Sequence, residues 1–176
     1  MKNNIDNIIY TVALNNGFND KSAKIIVAQA RLESANYTSN VFKKNNNLFG
    51  MKFIGQKLAT KGSPAPVNER TKNPNDNINF YAKYSSPEDS AKDLITRLLN
   101  ITRNGVTPTM LKNVTTPEQY ATLQKKRGYF GGKVEDYSRN LRSILKRITP
   151  ETTFATLTPL ILLGIFFLAY KLTKRS

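Results

Sequence analysis

Ile26, Ala30 and Glu33 stand at positions i, i+4 and i+7 of a helical pattern. They therefore share one helix face. A carboxylate on an otherwise apolar face is a buried ion-pair partner, a working acid, or a side chain that reaches solvent and pairs with Lys or Arg. The pattern stops by Asn36, which puts Glu33 near the C-terminal end of its helix. The negative end of the helix dipole disfavours a carboxylate there, and burial disfavours it too. Both effects raise the pKa toward what a general acid needs near neutral pH.

The rest of the composition narrows the chemistry. The chain of 176 residues has no histidine and no cysteine. Ser-His-Asp and Cys-His catalysis, HExxH zinc sites and disulfides are all removed together. Proton transfer falls to carboxylates, tyrosines or lysines. The scattered acids show no EF-hand spacing, so neither a metal nor a cofactor is expected. The formal charge of +15 suits a polyanionic partner. Nucleic acid, anionic lipid and a bacterial wall all qualify, and charge alone does not choose among them. No helix-turn-helix, zinc or RNA-binding signature is present, so no specific nucleic acid is expected.

The elements that must position Glu33 are legible from periodicity. Ile5, Ile8, Ile9, Val12 and Ala13 follow helical spacing, and Gly17 ends that helix. Asp20 or Ser22 is expected to cap the second helix, which carries Ile25, Ile26, Ala28, Ala30 and Leu32. From about Met51 to Tyr84 the pattern changes to a strand-and-loop lobe. Gly, Pro and Asn punctuate it, and Ile78, Phe80, Ala82 and Tyr84 alternate at period two. Ser86-Pro87-Glu88-Asp89 starts a helix with Ala91, Leu94, Ile95, Leu98 and Leu99 on its apolar face. Thr116-Pro117-Glu118-Gln119 repeats that signal. Tyr137, Leu141, Ile144, Leu145 and Ile148 mark the last helix of this part. The fold class expected is α+β, mainly helical, with one small β lobe.

Phe154 to Tyr170 is an uncharged run, FATLTPLILLGIFFLAY, followed by Lys171, Lys174 and Arg175. With Thr152 and Thr153 it just spans a hydrocarbon core of about 30 Å as a helix. The expected organisation is a folded domain over 1–149, a linker over 150–153, a transmembrane helix over 154–170 and a basic tail over 171–176. Basic residues flank the run on both sides, so the positive-inside rule nearly cancels. The N-terminus has no secretory-signal pattern. A single-pass anchor in a cell envelope or in a virus particle's own membrane is the expectation, with lipid and other virion proteins as partners.

Ala28-Gln29-Ala30-Arg31-Leu32-Glu33-Ser34, followed by Asn46-Asn47-Leu48-Phe49-Gly50-Met51-Lys52, resembles the glucosaminidase family of peptidoglycan hydrolases, glycoside hydrolase family 73. That family has an AQAxLES-like helix carrying its catalytic glutamate, then an NNLFGIK-like segment. Phe80-Tyr81-Ala82-Lys83-Tyr84-Ser85-Ser86-Pro87-Glu88-Asp89-Ser90 is similar to its F-R-x-Y-s-s-x-x-E-S stretch, and Gly128-Tyr129 with Tyr137 is similar to its G-Y-A-T-D-P-x-Y segment. The resemblance covers about residues 20–147.

It implies a lysozyme-like fold, peptidoglycan as partner, and cleavage of the β-1,4 bond after N-acetylglucosamine. Glu33 is then the general acid. Glu69, in Val67-Asn68-Glu69, is the nearest match to the family's second carboxylate in a T-x-E-like strand. An inverting pair should stand roughly 6.5–9.5 Å apart; the substrate's acetamido group is the alternative nucleophile. Tyr129 is implied to lie beside the cleft and hold the sugar or the transition state. Asn47, Phe49 and Gly50 are implied to shape the cleft floor, with Tyr84 and Tyr137 completing the substrate-binding set. The sequence departs from the family after Tyr129, where Phe130-Gly131-Gly132-Lys133 replaces Thr-Asp-Pro. Three other readings stand beside this one: a lytic transglycosylase, although its G-L-M-Q-like segment is missing; a non-catalytic wall-binding or structural membrane protein, which binds wall glycan or nucleic acid; and a membrane-permeabilising lysis protein.

Overall fold

A computed structural model describes residues 2–100 and 102–148. The expected linker, transmembrane run and basic tail lie outside the described residues. Among the described residues, no helix is long and apolar enough to cross a membrane.

The chain forms α1 (Lys2–Asn15), α2 (Asp20–Glu33), α3 (Asn40–Asn45), β1 (Ala59–Pro64), β2 (Phe80–Tyr84), α4 (Pro87–Asn100), α5 (Pro108–Lys112), α6 (Pro117–Lys126) and α7 (Val134–Leu145). This is a mainly helical α+β domain with a two-stranded β lobe. α2 lies at its centre and packs on α1, α6 and α7, and α1 also packs on α4. Ile25, Ile26, Val27, Ala28 and Ala30 of α2 are buried. Burying a side chain the size of Ile stabilises by about 1.5–3 kcal/mol, so α2 is fixed as the axis of the core.

Most helix starts fall where their cap residues stand. Thr116 Oγ1 accepts from Gln119 N at 3.2 Å, and Ser86 Oγ accepts from Asp89 N at 3.1 Å. The cap of α2 is a correction. Asn19, not Asp20 or Ser22, holds the position, with its Oδ1 accepting from Ser22 N at 2.7 Å. Asp20 instead accepts from the Tyr10 hydroxyl at 2.7 Å.

The first and second helices are tied by a buried charge. Asp6 is fully buried and accepts from Arg31 Nε at 3.0 Å, from Arg31 Nη2, and from the Tyr37 hydroxyl at 2.6 Å. Arg31 is two residues from Glu33, so this cluster fixes the end of α2 against α1. Beyond it the chain reverses through Ala35, Asn36 and Tyr37, at φ 51°, 56° and 66°. Ser34 steadies the reversal: its hydroxyl donates to Ala30 O at 2.6 Å and accepts from Tyr37 N at 3.0 Å.

In the β lobe, β1 and β2 pair antiparallel with Ala59 opposite Tyr84. Met51 to Phe53 runs along β2's other edge: Ala82 N donates to Met51 O at 2.9 Å and Phe53 N to Phe80 O at 2.8 Å. The alternation read over Ile78 to Tyr84 forms a strand only from Phe80. Ile78 sits in a 3-10 turn, Asn77–Asn79, capped by Asp76. Val67-Asn68-Glu69 is likewise a 3-10 turn rather than the expected strand. Pro64 and Pro66 precede it, and proline has no N–H to continue a ladder.

Candidate active site

A cleft of about 710 Å³ opens between the helical body and the β lobe. Glu33, Leu94, Arg97, Gln124 and Tyr129 line its helical wall; Lys52, Glu69, Ile78 and Tyr81 line the lobe's side.

Glu33 is the last residue of α2, so its carboxylate meets the negative end of the helix. It is half-buried, and its burial raises its pKa above the usual glutamate range. The Tyr137 hydroxyl donates to Glu33 Oε1 at 3.0 Å and opposes part of that rise. The tyrosine is itself held in place, because its ring stacks on Phe130 with centroids 4.2 Å apart and planes at 17°. Tyr137 was expected to bind substrate; its hydroxyl is engaged with the acid.

The loop that departs from the family pattern has a definite shape. Gly128, at φ 74°, closes α6: its N–H donates to Lys125 O at 2.9 Å, and Tyr129 N–H to Gln124 O at 2.9 Å. A left-handed residue just past a helix favours glycine. The closure turns Tyr129 back to the cleft. Burial, then the Glu33 charge beside it, push the Tyr129 hydroxyl well above its ordinary pKa, so it stays protonated as a neutral donor. Lys125 Nζ donates to Gly131 O at 2.6 Å and Gly132 O at 2.8 Å, which fastens the rest of the loop.

Glu69 also lines the cleft, from an exposed position. Its Oε2 accepts from Lys52 Nζ at 2.5 Å and lies 3.4 Å from the Tyr81 hydroxyl. Lys52 sits over the Tyr81 ring at 4.2 Å. The second carboxylate is thus held by the lobe itself. Ile54 and Ile78, 61% and 41% exposed, give that wall apolar surface fit for the face of a sugar ring.

Phe49 and Gly50 line the cleft, and Gly50 adopts φ 63°. Asn47 does not reach the cleft. It is buried, and its side chain knots the loop: Nδ2 donates to Met51 O and Ala82 O at 2.8 and 2.9 Å, and Oδ1 accepts from Met51 N at 3.0 Å. Tyr84 is also a correction. It is 1% exposed, and its hydroxyl donates to Asp93 Oδ2 at 2.7 Å, which makes it a core tyrosine. A tyrosine at an alternating strand position faces one side or the other, and here the inner face won.

Sequence reasoning missed three cleft arginines, Arg97, Arg103 and Arg127. No spacing joins them, since they come from α4, the following loop and the end of α6. It also missed Gln29, whose Oε1 accepts from the buried Tyr120 hydroxyl at 2.5 Å beneath the cleft.

No clustered side chains suited to a metal ion occur among the described residues. The cleft has no thiol or imidazole to offer. What it holds is a carboxyl whose pKa burial raises, a second carboxylate and tyrosine donors. Acid-catalysed cleavage of a glycan needs side chains of these kinds.

Residues 14–150 match the family model "Glucosaminidase", described as mannosyl-glycoprotein endo-beta-N-acetylglucosaminidase. The chain belongs to this glucosaminidase family of peptidoglycan-hydrolysing glycoside hydrolases. No curated protein sequence matches it. Its fold is similar to three solved structures, each at 20% identity. One is a type VI secretion system effector–immunity complex from Pseudomonas protegens, with a TM-score of 0.55 over 83% of this chain and 93% of that one. Another is the catalytic domain of the autolysin Auto from Listeria monocytogenes, at 0.51 over 83% and 81%. The third is a C-terminally truncated glycoside hydrolase domain of FlgJ from Salmonella typhimurium, at 0.51 over 84% and 97%.

Proposed function

We propose that the chain hydrolyses the β-1,4 bond after N-acetylglucosamine in peptidoglycan, with Glu33 as general acid in a lysozyme-like cleft. The observation that carries this is the state of Glu33: half-buried, at a helix C-terminus, with its pKa raised by burial and its oxygen held by Tyr137. Glu33 gives its proton to the glycosidic oxygen as the bond to the anomeric carbon breaks. The Tyr129 hydroxyl supports charge developing on the sugar side. Glu69 accepts a proton from the attacking water, whose oxygen bonds to the anomeric carbon. Lys52, whose Nζ lies 2.5 Å from Glu69 Oε2, holds that carboxylate in position for the step. Glu69 then releases its proton to solvent and Glu33 takes one up, which restores both for the next turnover.

The test is product analysis. The protein and Glu33→Gln are incubated with purified peptidoglycan, and the soluble fragments are weighed. Reducing N-acetylglucosamine ends that depend on Glu33 are the expected result. Anhydro-muramyl ends would make the protein a lytic transglycosylase.

The same reading takes residues 154–170 as a transmembrane anchor, in a cell envelope or a virion membrane with other virion proteins beside it. The support is the uncharged apolar run and the basic residues after it. Truncation after residue 149 is expected to move the protein from the membrane fraction to the soluble one.

A further inference from the structure

The cleft carries more positive charge than acid catalysis on a neutral glycan uses. Arg97, Arg103 and Arg127 all line it on the helical side, near Tyr129. They face little compensating charge. Arg97 Nε is 3.6 Å from Asp93 Oδ2, and that same oxygen already accepts from the Tyr84 hydroxyl. Arg103 has no ion pair among the described residues, and its guanidinium lies within 3.7–3.8 Å of where a Cβ on Gly128 would stand. That sets it beside the turn that delivers Tyr129.

Arg127 is the most constrained of the three. It is 8% exposed, and its Nη2 donates to Arg97 O at 2.9 Å. Its Nη1 is buried with no hydrogen-bond partner, and so is Arg97 Nη2. A buried guanidinium nitrogen without an acceptor is costly to keep. Burial lowers the pKa of the Arg127 guanidinium, the neighbouring Tyr120 opposes that, and the like charge of Arg103 adds to it. An anion among the three relieves the repulsion and supplies acceptors. A planar carboxylate fits guanidinium donors in pairs.

We propose that Arg97, Arg103 and Arg127 form a carboxylate-binding subsite, which takes a carboxylate borne on the lactyl side of a muramyl residue in the bound strand. The proposal rests on the peptidoglycan reading above. That carboxylate comes from one of two sources: the free lactyl acid of a strand stripped of peptide, or an acid of the attached stem peptide.

The test uses the full chain in mild detergent and three strand preparations. The first keeps its stem peptides. The second is stripped by an amidase to the free lactyl acid. The third is stripped and then converted to neutral methyl amides. The variants are Arg103→Gln and Arg103→Lys, because Arg103 is exposed and its loss leaves the core alone. Matching melting curves check the fold. On the better charged strand, Arg103→Gln is expected to raise KM about tenfold, the size of one charge-assisted contact, with kcat within about twofold. On neutral strands the penalty is expected to shrink below about twofold, and Arg103→Lys to fall between. The charged strand with the larger Arg103 dependence names the source. An equal penalty on charged and neutral strands overturns the subsite and leaves the glycosidase standing. If the unaltered protein cuts none of the three, the peptidoglycan reading falls and the subsite with it.

Discussion

The hydroxyl of Tyr137 donates to Glu33 Oε1 at 3.0 Å, although the two residues are 104 positions apart. The last described helix therefore reaches across to the end of the second and tempers the rise that burial imposes on the pKa of its terminal carboxyl. Tyr137→Phe removes a bond that favours the ionised form. The Glu33 pKa is expected to rise further, and the alkaline limb of kcat/KM to move to higher pH. A pH–rate profile of both proteins checks this. An unmoved limb would mean that Glu33 is not the titrating acid.

Glu33→Gln keeps the shape of the side chain and removes its proton chemistry. Hydrolysis is expected to fall by about 10²–10⁴-fold. Stability is expected to move the other way. A carboxyl with a raised folded-state pKa binds its proton more tightly when folded, so its contribution declines as pH climbs from the ordinary glutamate value through the folded one. At neutral pH the glutamine variant should melt above the parent, and below the ordinary glutamate pKa the gap should close. Calorimetry at two pH values reads both.

Glu69 is exposed and paired with Lys52. Such a pair contributes only about 0–1 kcal/mol. Glu69→Gln is thus expected to leave the melting temperature almost unchanged while slowing hydrolysis about 100-fold. Added azide should restore bond cleavage in that variant and yield a glycosyl azide of inverted configuration. Full activity without azide would hand the nucleophile's role to the substrate's acetamido group.

Gly62 in β1 has no room for a side chain. A Cβ there would stand 2.5 Å from Asn45 Oδ1 and 2.8 Å from Tyr81 O. Gly62→Ala is expected to destabilise the lobe by about 1–3 kcal/mol, measured by urea unfolding. Tyr81 is a cleft residue, so KM should rise as well.

Asp6→Asn tests the joint behind the acid. It leaves Arg31 facing a neutral partner in a buried setting. A loss of about 3 kcal/mol is expected, typical of a broken buried pair. Denaturant melts give the number.

Much of this arrangement was legible in the sequence, for reasons particular residues supply. The starts at Ser86-Pro87 and Thr116-Pro117 were readable because capping is local, and both caps form. Glu33 stood out because a charge on an apolar face is rare, and it does reach the cleft. Other features have no local signal. β1 reads Ala-Thr-Lys-Gly-Ser-Pro, with no alternation, and pairs because β2 is there to receive it. α3 is short and Asn-Lys rich, held by the Ser39 cap. Asn47 looked like a cleft residue and is a loop fastener, and Tyr84 turned inward to Asp93. The arginine cluster is assembled from three separate segments and is visible only in three dimensions.

The left-handed run at Ala35, Asn36 and Tyr37 bears on how this protein can drift. Such a conformation costs roughly 1–2 kcal/mol at residues other than glycine and asparagine, which puts the cost on Ala35 and Tyr37 more than on Asn36, and the three follow one another directly behind the acid. Glycine at 35 would relieve part of that cost and slacken the hold on Glu33 in one step. Selection for a hardier protein and selection for a well-aimed proton thus pull on this turn in opposite directions. Variants that gain stability at 35 should be those that surrender turnover.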